Sequence, residues 1–426
     1  MSQTDFSPPP GFRRNFAALL VDYIGFGVAF SFISLNAVLP AFVRSLTDSE
    51  PLVGLIGTVF NAGWLLPQLG VATLIVGRPR KKPYMMAASY TARPLFLLLG
   101  LVTWAGLPEH STAMLTVFFT CIGLFTVLDS VASVAWFDIL ARVVPVSRRG
   151  RLVGTAQIVG GGLGMAVGGL VSVILASPSL PFPKNYALLF ALSFAAHIPG
   201  IIALGFLKEP EADDQDVNEE ERHRQGLLDQ LMSVWKGDPG FRRLMVVRWL
   251  TGLMGLASPF YILHATEAVG LSETVTGWFV SAQMAGGIVA SLGLGWLSER
   301  HGPRPAVRLG SAAALGSPLV ALLLHLTNSS ALARIYPLAY FLYGVTVNSA
   351  MLGPLNYLLE MAPAEQRALY IGLANTLMGA LVPISLLGGV LLRATSYPVL
   401  FAITAAGITG GLVASLGLEK AQGDGS

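Results

Sequence analysis

Twelve apolar runs, each long enough to cross a bilayer and bounded by charges or turn residues, fill this chain and leave few folds open to it. They lie near residues 16–43, 52–76, 85–106, 113–141, 152–176 and 186–207, then near 244–266, 275–298, 308–326, 336–361, 369–392 and 399–418. A membrane helix takes about 20 consecutive apolar residues, so twelve would use about 240. The composition agrees, with 53% of the 426 residues hydrophobic and 12% charged, about half the charged share of a soluble domain. A soluble globular fold is excluded, and an all-α membrane protein with twelve transmembrane helices is expected.

The charges are segregated. Between Lys208 and Arg243, 6 Lys/Arg face 10 Asp/Glu, whereas the rest of the chain holds 21 against 14. With the N-terminus inside, the cytoplasmic loops and tails hold 21 Lys/Arg, the outer loops hold Arg44, Lys184, Arg334 and Arg393, and Arg93 and Arg248 fall within spans. The positive-inside rule then places both termini in the cytoplasm of a cell whose cytoplasmic (inner) membrane carries the chain. The N-terminal stretch lacks a short apolar core followed by a small-residue cleavage site, so no removable signal peptide is expected. The single cysteine, Cys121, lies in an apolar run and excludes an intramolecular disulfide or a thiolate metal cluster.

The expected organisation is a tail over 1–15, a six-helix bundle over 16–207, a linker over 208–243, a second bundle over 244–418 and a tail over 419–426. The linker is acidic and polar from Glu209 to Arg224, a composition that cannot bury a core. Within it Leu227, Leu228, Leu231, Met232 and Trp235 recur at helical spacing, which reads either as an amphipathic helix on the membrane face or as one packed under the bundle. The halves repeat one another. Phe12–Arg14 and Phe241–Arg243 both read Phe-Arg-Arg ahead of a span, and Pro145, Arg149 and Gly154 align with Pro363, Arg367 and Gly372. A duplicated six-helix unit with a central loop suits a transporter whose halves rock about a midplane site.

Between spans 8 and 9 the segment GWLSERHGPR, with Gly295, Glu299, Arg300, Gly302 and Arg304, brackets a Glu-Arg pair between two glycines. It resembles the loop signature of the major facilitator superfamily, and with twelve spans and repeated halves the resemblance covers nearly the whole chain. The loop between spans 2 and 3 keeps Gly70 and Gly77 but has Leu74 and Ile75 where the family places an acid and an arginine. The resemblance implies a gating role for that acid. The second copy is therefore expected to carry the gate, with Glu299 drawn to Arg148, Arg149 and Arg151 at the positive N-terminal end of span 5. Gly160, Gly164 and Gly168 in span 5 read as a small-residue packing stripe. They also look like the glycine motif of drug-proton antiporters, but the proline of that motif is Met165 here and the antiporters' span-4 arginine is missing.

Charges at bilayer depth cost about 2.5 to 3.5 kcal/mol each on insertion scales and mark functional positions. The superfamily lines its central cavity with spans 1, 4, 7 and 10. In span 4, Asp129 shares a helix face with Thr126, Ser133 and Trp136, and is read as a solute or proton carrier, or else as a structural hydrogen-bonding group. Asp138, half a turn away, is assigned to pairing with the loop Arg78–Lys82 or with Arg142, or to gating. Span 1 places Asp22, Phe26, Ile33 and Asn36 on one face, where Asp22 is a gate residue, a proton acceptor or a snorkelling charge. Arg248 either pairs with Asp22 or snorkels, and Arg93 needs a partner that the sequence does not name. Asn348 and Asn356 offer amides to solute or to neighbouring helices.

His197, His264 and His325 fall on different spans without ligand spacing, so no metal site is expected. There is no P-loop and no dinucleotide fingerprint, hence no cofactor, and the basic residues set topology and do not bind nucleic acid. The expectation is a monomeric secondary transporter moving a small, partly apolar organic solute through the lipid bilayer by alternating access, with or without protons. The competing class is a solute receptor or scaffold with the same fold. No nucleophile and base pair points to an enzyme.

Overall fold

The computed structural model describes residues 11–75, 78, 80–210, 227–327, 329–363 and 366–419. Every regular element among them is helical. Eleven helices are long and apolar enough to cross a membrane, and the remaining expected span forms one 26-residue helix, Glu50–Ile75. The chain is a multi-pass membrane protein of two six-helix halves.

Several spans are interrupted where the apolar pattern reads as continuous. Span 1 is helical over Phe12–Phe32, leaves the helix at 33–37 and resumes over Val38–Arg44. Ile33 and Asn36 therefore do not continue the face that carries Asp22 and Phe26. Freed backbone groups are tolerated at membrane depth only where protein satisfies them, and the Tyr340 hydroxyl of span 10 donates to the Asn36 carbonyl at 3.0 Å. Span 7 starts at Pro239, with the Asp238 side chain accepting from the Phe241 amide at 2.9 Å. It passes through a 3-10 turn at Ser258–Phe260 and ends in a π-helical turn at His264–Ala268. Here too a span-10 phenol answers, Tyr336 donating to the Tyr261 carbonyl at 2.9 Å. Span 3 divides at Arg93 because Pro94 has no amide to donate.

The halves meet along two seams. Span 5 (Val146–Ala176) packs on span 8 (Val275–His301), where a side-chain carbon on Gly168 or Gly277 would run into the opposing backbone. Ser172 donates to the Thr274 carbonyl at 2.7 Å and Ser281 to the Met165 carbonyl at 2.8 Å. Gly164 and Gly168 of the span-5 stripe lie on this seam, whereas Gly160 faces Ile24 of span 1. Span 2 packs on span 11 through Gly54 and Gly57 against Ser385, with Thr58 and Ser385 hydroxyls 3.4 Å apart. Beyond the seams, on the face opposite the basic loops, Arg44 pairs with Glu267 at 2.5 Å across the halves, and Tyr397 donates to the same carboxylate at 2.8 Å. On the basic face the polar contacts of Lys81, Arg149, Arg243 and Arg304 stay within one half or reach its adjoining segments. Gly154, Gly295 and Gly372 border open space there. Among the described residues, the ion pair that joins the halves lies at the face opposite the basic loops.

The amphipathic segment forms a helix, Leu227–Gly237. It packs under the second half: Val234 is buried with Phe241, Leu244 and Tyr370, and Trp235 lies against Trp249.

Candidate functional site

A cavity of about 180 Å³ opens between spans 1, 5, 8 and 10. Tyr23, Gln157, Gln283, Ser291 and Asn348 supply its polar groups, and Met284, Ile288 and Val347 part of its apolar wall. No acid, lysine or arginine lines it among the described residues. The Gln283 carbonyl oxygen is buried without a hydrogen-bond partner, an acceptor that a bound donor would satisfy. Ser291 donates to Asn348 at 3.4 Å, and the Asn348 amide donates to the Gly344 carbonyl at 3.2 Å, so Asn348 is held at the wall.

Charge is concentrated elsewhere, inside the first half. Arg93 of span 3 donates to Asp22 of span 1 at 2.6 Å, with side chains only 6% and 7% exposed. The pair has no room to spare, since a side-chain carbon on Gly200 of span 6 would stand 2.8 Å from the Asp22 carboxylate and 3.3 Å from the guanidinium. The buried Trp136 indole lies beside Asp22, and Asp129 stands within electrostatic reach of both Arg93 and Asp22, next to Trp64 of span 2. One guanidinium nitrogen of Arg93 remains buried and unpartnered. His197 completes the cluster, its ring stacked on Phe96 at 5.8 Å and bonded to the Ser193 carbonyl at 2.9 Å.

Asp129 and Trp136 are thus brought together with Asp22, but towards spans 2 and 3 and not on the cavity wall. Thr126 bonds its own helix at Ile122 and Gly123, and Ser133 donates to the Ser130 carbonyl. Asn36 lies in the span-1 break, and Asn348 alone of the expected solute-binding residues lines the cavity. Asp138 pairs with Lys81 at 2.9 Å and with Arg142 at 2.8 Å. The partner of Arg93 is Asp22, which leaves Arg248 without it.

In the second-half loop, Gly302 takes φ +75°, the left-handed region that Gly enters freely. Arg300 lies over Trp296 at 4.7 Å, and Arg304 donates to the Leu418 carbonyl at 3.0 Å. Gly295 ends in open space. The side chain of Glu299 and all of Gly77 lie outside the described residues, as do the side chains of Leu74 and Ile75; Gly70 sits near the end of span 2. Arg149 is engaged inside its own half, donating to the Val144 carbonyl at 2.9 Å and the Ala141 carbonyl at 2.6 Å.

Two sequence readings change. The histidines are not all scattered: His264 and His325 meet at 3.1 Å, and His264 also contacts the Tyr336 hydroxyl at 2.9 Å. Helices 61 residues apart in sequence carry them together, which no local spacing reveals. Among the described residues no three His, Cys, Asp or Glu side chains gather as metal ligands. Gln157 and Gln283 were also unforeseen, because amides carry no charge to mark them within an apolar run.

A family model described as Major Facilitator Superfamily matches residues 22–263 and 250–423. An uncharacterised protein of Mycobacterium tuberculosis is 26% identical over 411 residues, covering 95% of this chain and 77% of its own length. Among solved structures, a bacterial homologue of the iron transporter ferroportin in an inward-facing state superposes with TM-score 0.69 at 14% identity, covering 96% of this chain and 99% of that one. The nucleoside transporter NupG does so with TM-score 0.68 at 10% identity, covering 96% and 100%.

Proposed function

The chain belongs to the major facilitator superfamily and is a membrane transporter, and from that premise we propose that it is a secondary transporter carrying a small, uncharged, partly apolar organic solute by alternating access. The observation that carries the reading is the central cavity. A solute donor would satisfy the Gln283 side-chain oxygen and a solute acceptor would meet the Gln157 amide, while Met284, Ile288 and Val347 would take its apolar part. The cavity's lack of charged side chains disfavours an ionic solute, for which no compensating charge is at hand. Similar folds carry unrelated cargo, iron and nucleosides among them by the names of the neighbours, so the site and not the fold selects.

Proton coupling is assigned to the Asp22–Arg93–Asp129 cluster. Two carboxylates sharing one guanidinium leave one negative charge uncompensated, a position for a carried proton. We take the basic face as cytoplasmic and the cross-half pair of Arg44 with Glu267 as closing the outer face, which makes this conformation inward-facing in the proposed cycle. Closure there is proposed to run through Glu299 and the Arg148–Arg151 cluster, after Arg149 gives up its contacts within span 4.

Purified protein in liposomes tests the reading. A transporter exchanges labelled solute in counterflow, and Gln283→Leu weakens exchange at least tenfold; binding without exchange identifies a receptor and overturns it. Asp129→Asn is expected to abolish accumulation driven by a pH gradient while sparing exchange, and unchanged uphill transport removes Asp129 from coupling. External labelling of single cysteines should reach position Glu109 and not Lys81; the reverse pattern inverts the topology.

A further inference from the structure

Two arginines lie within the membrane-spanning helices, and among the described residues only one of them is paired. Arg93 has Asp22. Arg248, about 6 Å into span 7 from residue 244 at 1.5 Å per residue, has no hydrogen bond or ion pair among the described residues. It borders a cavity of about 90 Å³ between spans 7, 9, 10 and 11, which shares no lining residue with the central one. Thr251, Ser311 and Ser349 give this cavity hydroxyl oxygens, and Met254, Val307 and Met378 an apolar wall. The hydroxyls are already engaged: Thr251 and Ser311 contact each other at 3.1 Å, and Ser349 donates to the Val345 carbonyl at 2.5 Å. The guanidinium is therefore the dominant free donor.

A lone guanidinium against apolar side chains is costly, and intramembrane arginines otherwise pair or mark a ligand path. One such group neutralises one negative charge and matches a planar carboxylate with two parallel hydrogen bonds. We propose that this second-half cavity binds an organic monocarboxylate, its carboxylate on Arg248 and its hydrocarbon body against Met254, Val307 and Met378. A dianion would bring one charge with nothing to meet it. The site is independent of the solute assigned to the central cavity, and either reading can fail alone.

The test is thermal unfolding of the purified protein in detergent, titrated with sodium benzoate against sodium chloride at matched ionic strength. Benzoate is expected to raise the melting temperature saturably, as a ligand of the folded state does, while chloride does not. Arg248→Gln should lose the benzoate shift yet melt no lower than wild type without benzoate, because an uncompensated charge has been removed. Arg248→Lys should weaken the benzoate response at least tenfold. A second variant, Thr251→Asp, sets an internal carboxylate one turn from Arg248 and should also abolish the shift in a folded protein. No benzoate shift in wild type, a shift that persists in Arg248→Gln or Thr251→Asp, or a larger shift with phthalate than with benzoate overturns the proposal. So does an Arg248→Gln protein that melts well below wild type, which marks Arg248 as structural.

Discussion

The two halves repeat one architecture and fill it with opposite chemistry. Ten residues after its Phe-Arg-Arg start the first half has Asp22, paired with Arg93 and near Asp129. Ten residues after the same start the second half has Thr251, bonded to Ser311 of span 9. One interior is a packed charge cluster, the other an uncharged hydroxyl cluster with a cavity and the unpaired Arg248 beside it. The halves share a backbone scheme, and in the proposed reading their side chains divide the tasks, the buried charge set serving proton exchange and the cavity a ligand.

The largest effect should come from breaking the charged side of this contrast. Asp22→Asn removes the carboxylate bonded directly to Arg93 and is expected to destabilise the protein by about 3 kcal/mol, whereas Thr251→Val should cost about 1 kcal/mol, the value of one hydrogen bond. Adding Arg93→Gln to Asp22→Asn should recover much of the loss in thermal unfolding, and purely additive effects would show that the pair is not a unit. A smaller effect is expected from making the halves alike: Glu299→Gln removes the carboxylate that the first-half loop lacks. It should favour the conformation parted at the basic face by about 1 to 2 kcal/mol, a 5- to 30-fold change in state ratio, and Leu74→Asp should partly reverse it. Unchanged distances between spin labels across that face in Glu299→Gln would dismiss the loop asymmetry. Least affected should be Glu267→Gln at the opposite face. Its pair with Arg44 is a quarter to a third exposed, so solvent screening limits the change to about 1 kcal/mol or less towards opening, read with labels beside Arg44 and Glu267.

Where the helices run was legible because crossing a bilayer imposes a length and an apolarity that few other segments meet. Asp138 was legible for a similar reason, as a carboxylate near a basic loop and four residues from Arg142 has partners in reach. The interruption of span 1 was not. Ser34 and Asn36 do not disrupt an apolar run, and the phenol that satisfies the broken backbone comes from 304 residues away. The depth of Arg93 demanded a partner, yet only the packing of spans 1, 3 and 6 around Gly200 selects Asp22 over the other acids. Gln283 was not legible, because an uncharged amide on span 8 stands out neither by charge nor by the cavity-lining spans 1, 4, 7 and 10. An intramembrane amide obeys the same rule of satisfaction, and applied to span 8 that rule would have found it.

Tyr336 and Tyr340 stand one turn apart on span 10, yet one braces the broken helix of its own half and the other the broken helix of the opposite half. In the proposed rocking of the halves, the first bond travels with its half and the second must part. A carbonyl released into a dry crevice loses about 1 to 3 kcal/mol, but one handed directly to water loses almost nothing. Opening of the face near Asn36 is therefore coupled to wetting: the crevice admits water in the same event that separates Tyr340 from its acceptor. The rate of that event should follow water activity, slowing as osmolytes draw water from the crevice even where no solute is present.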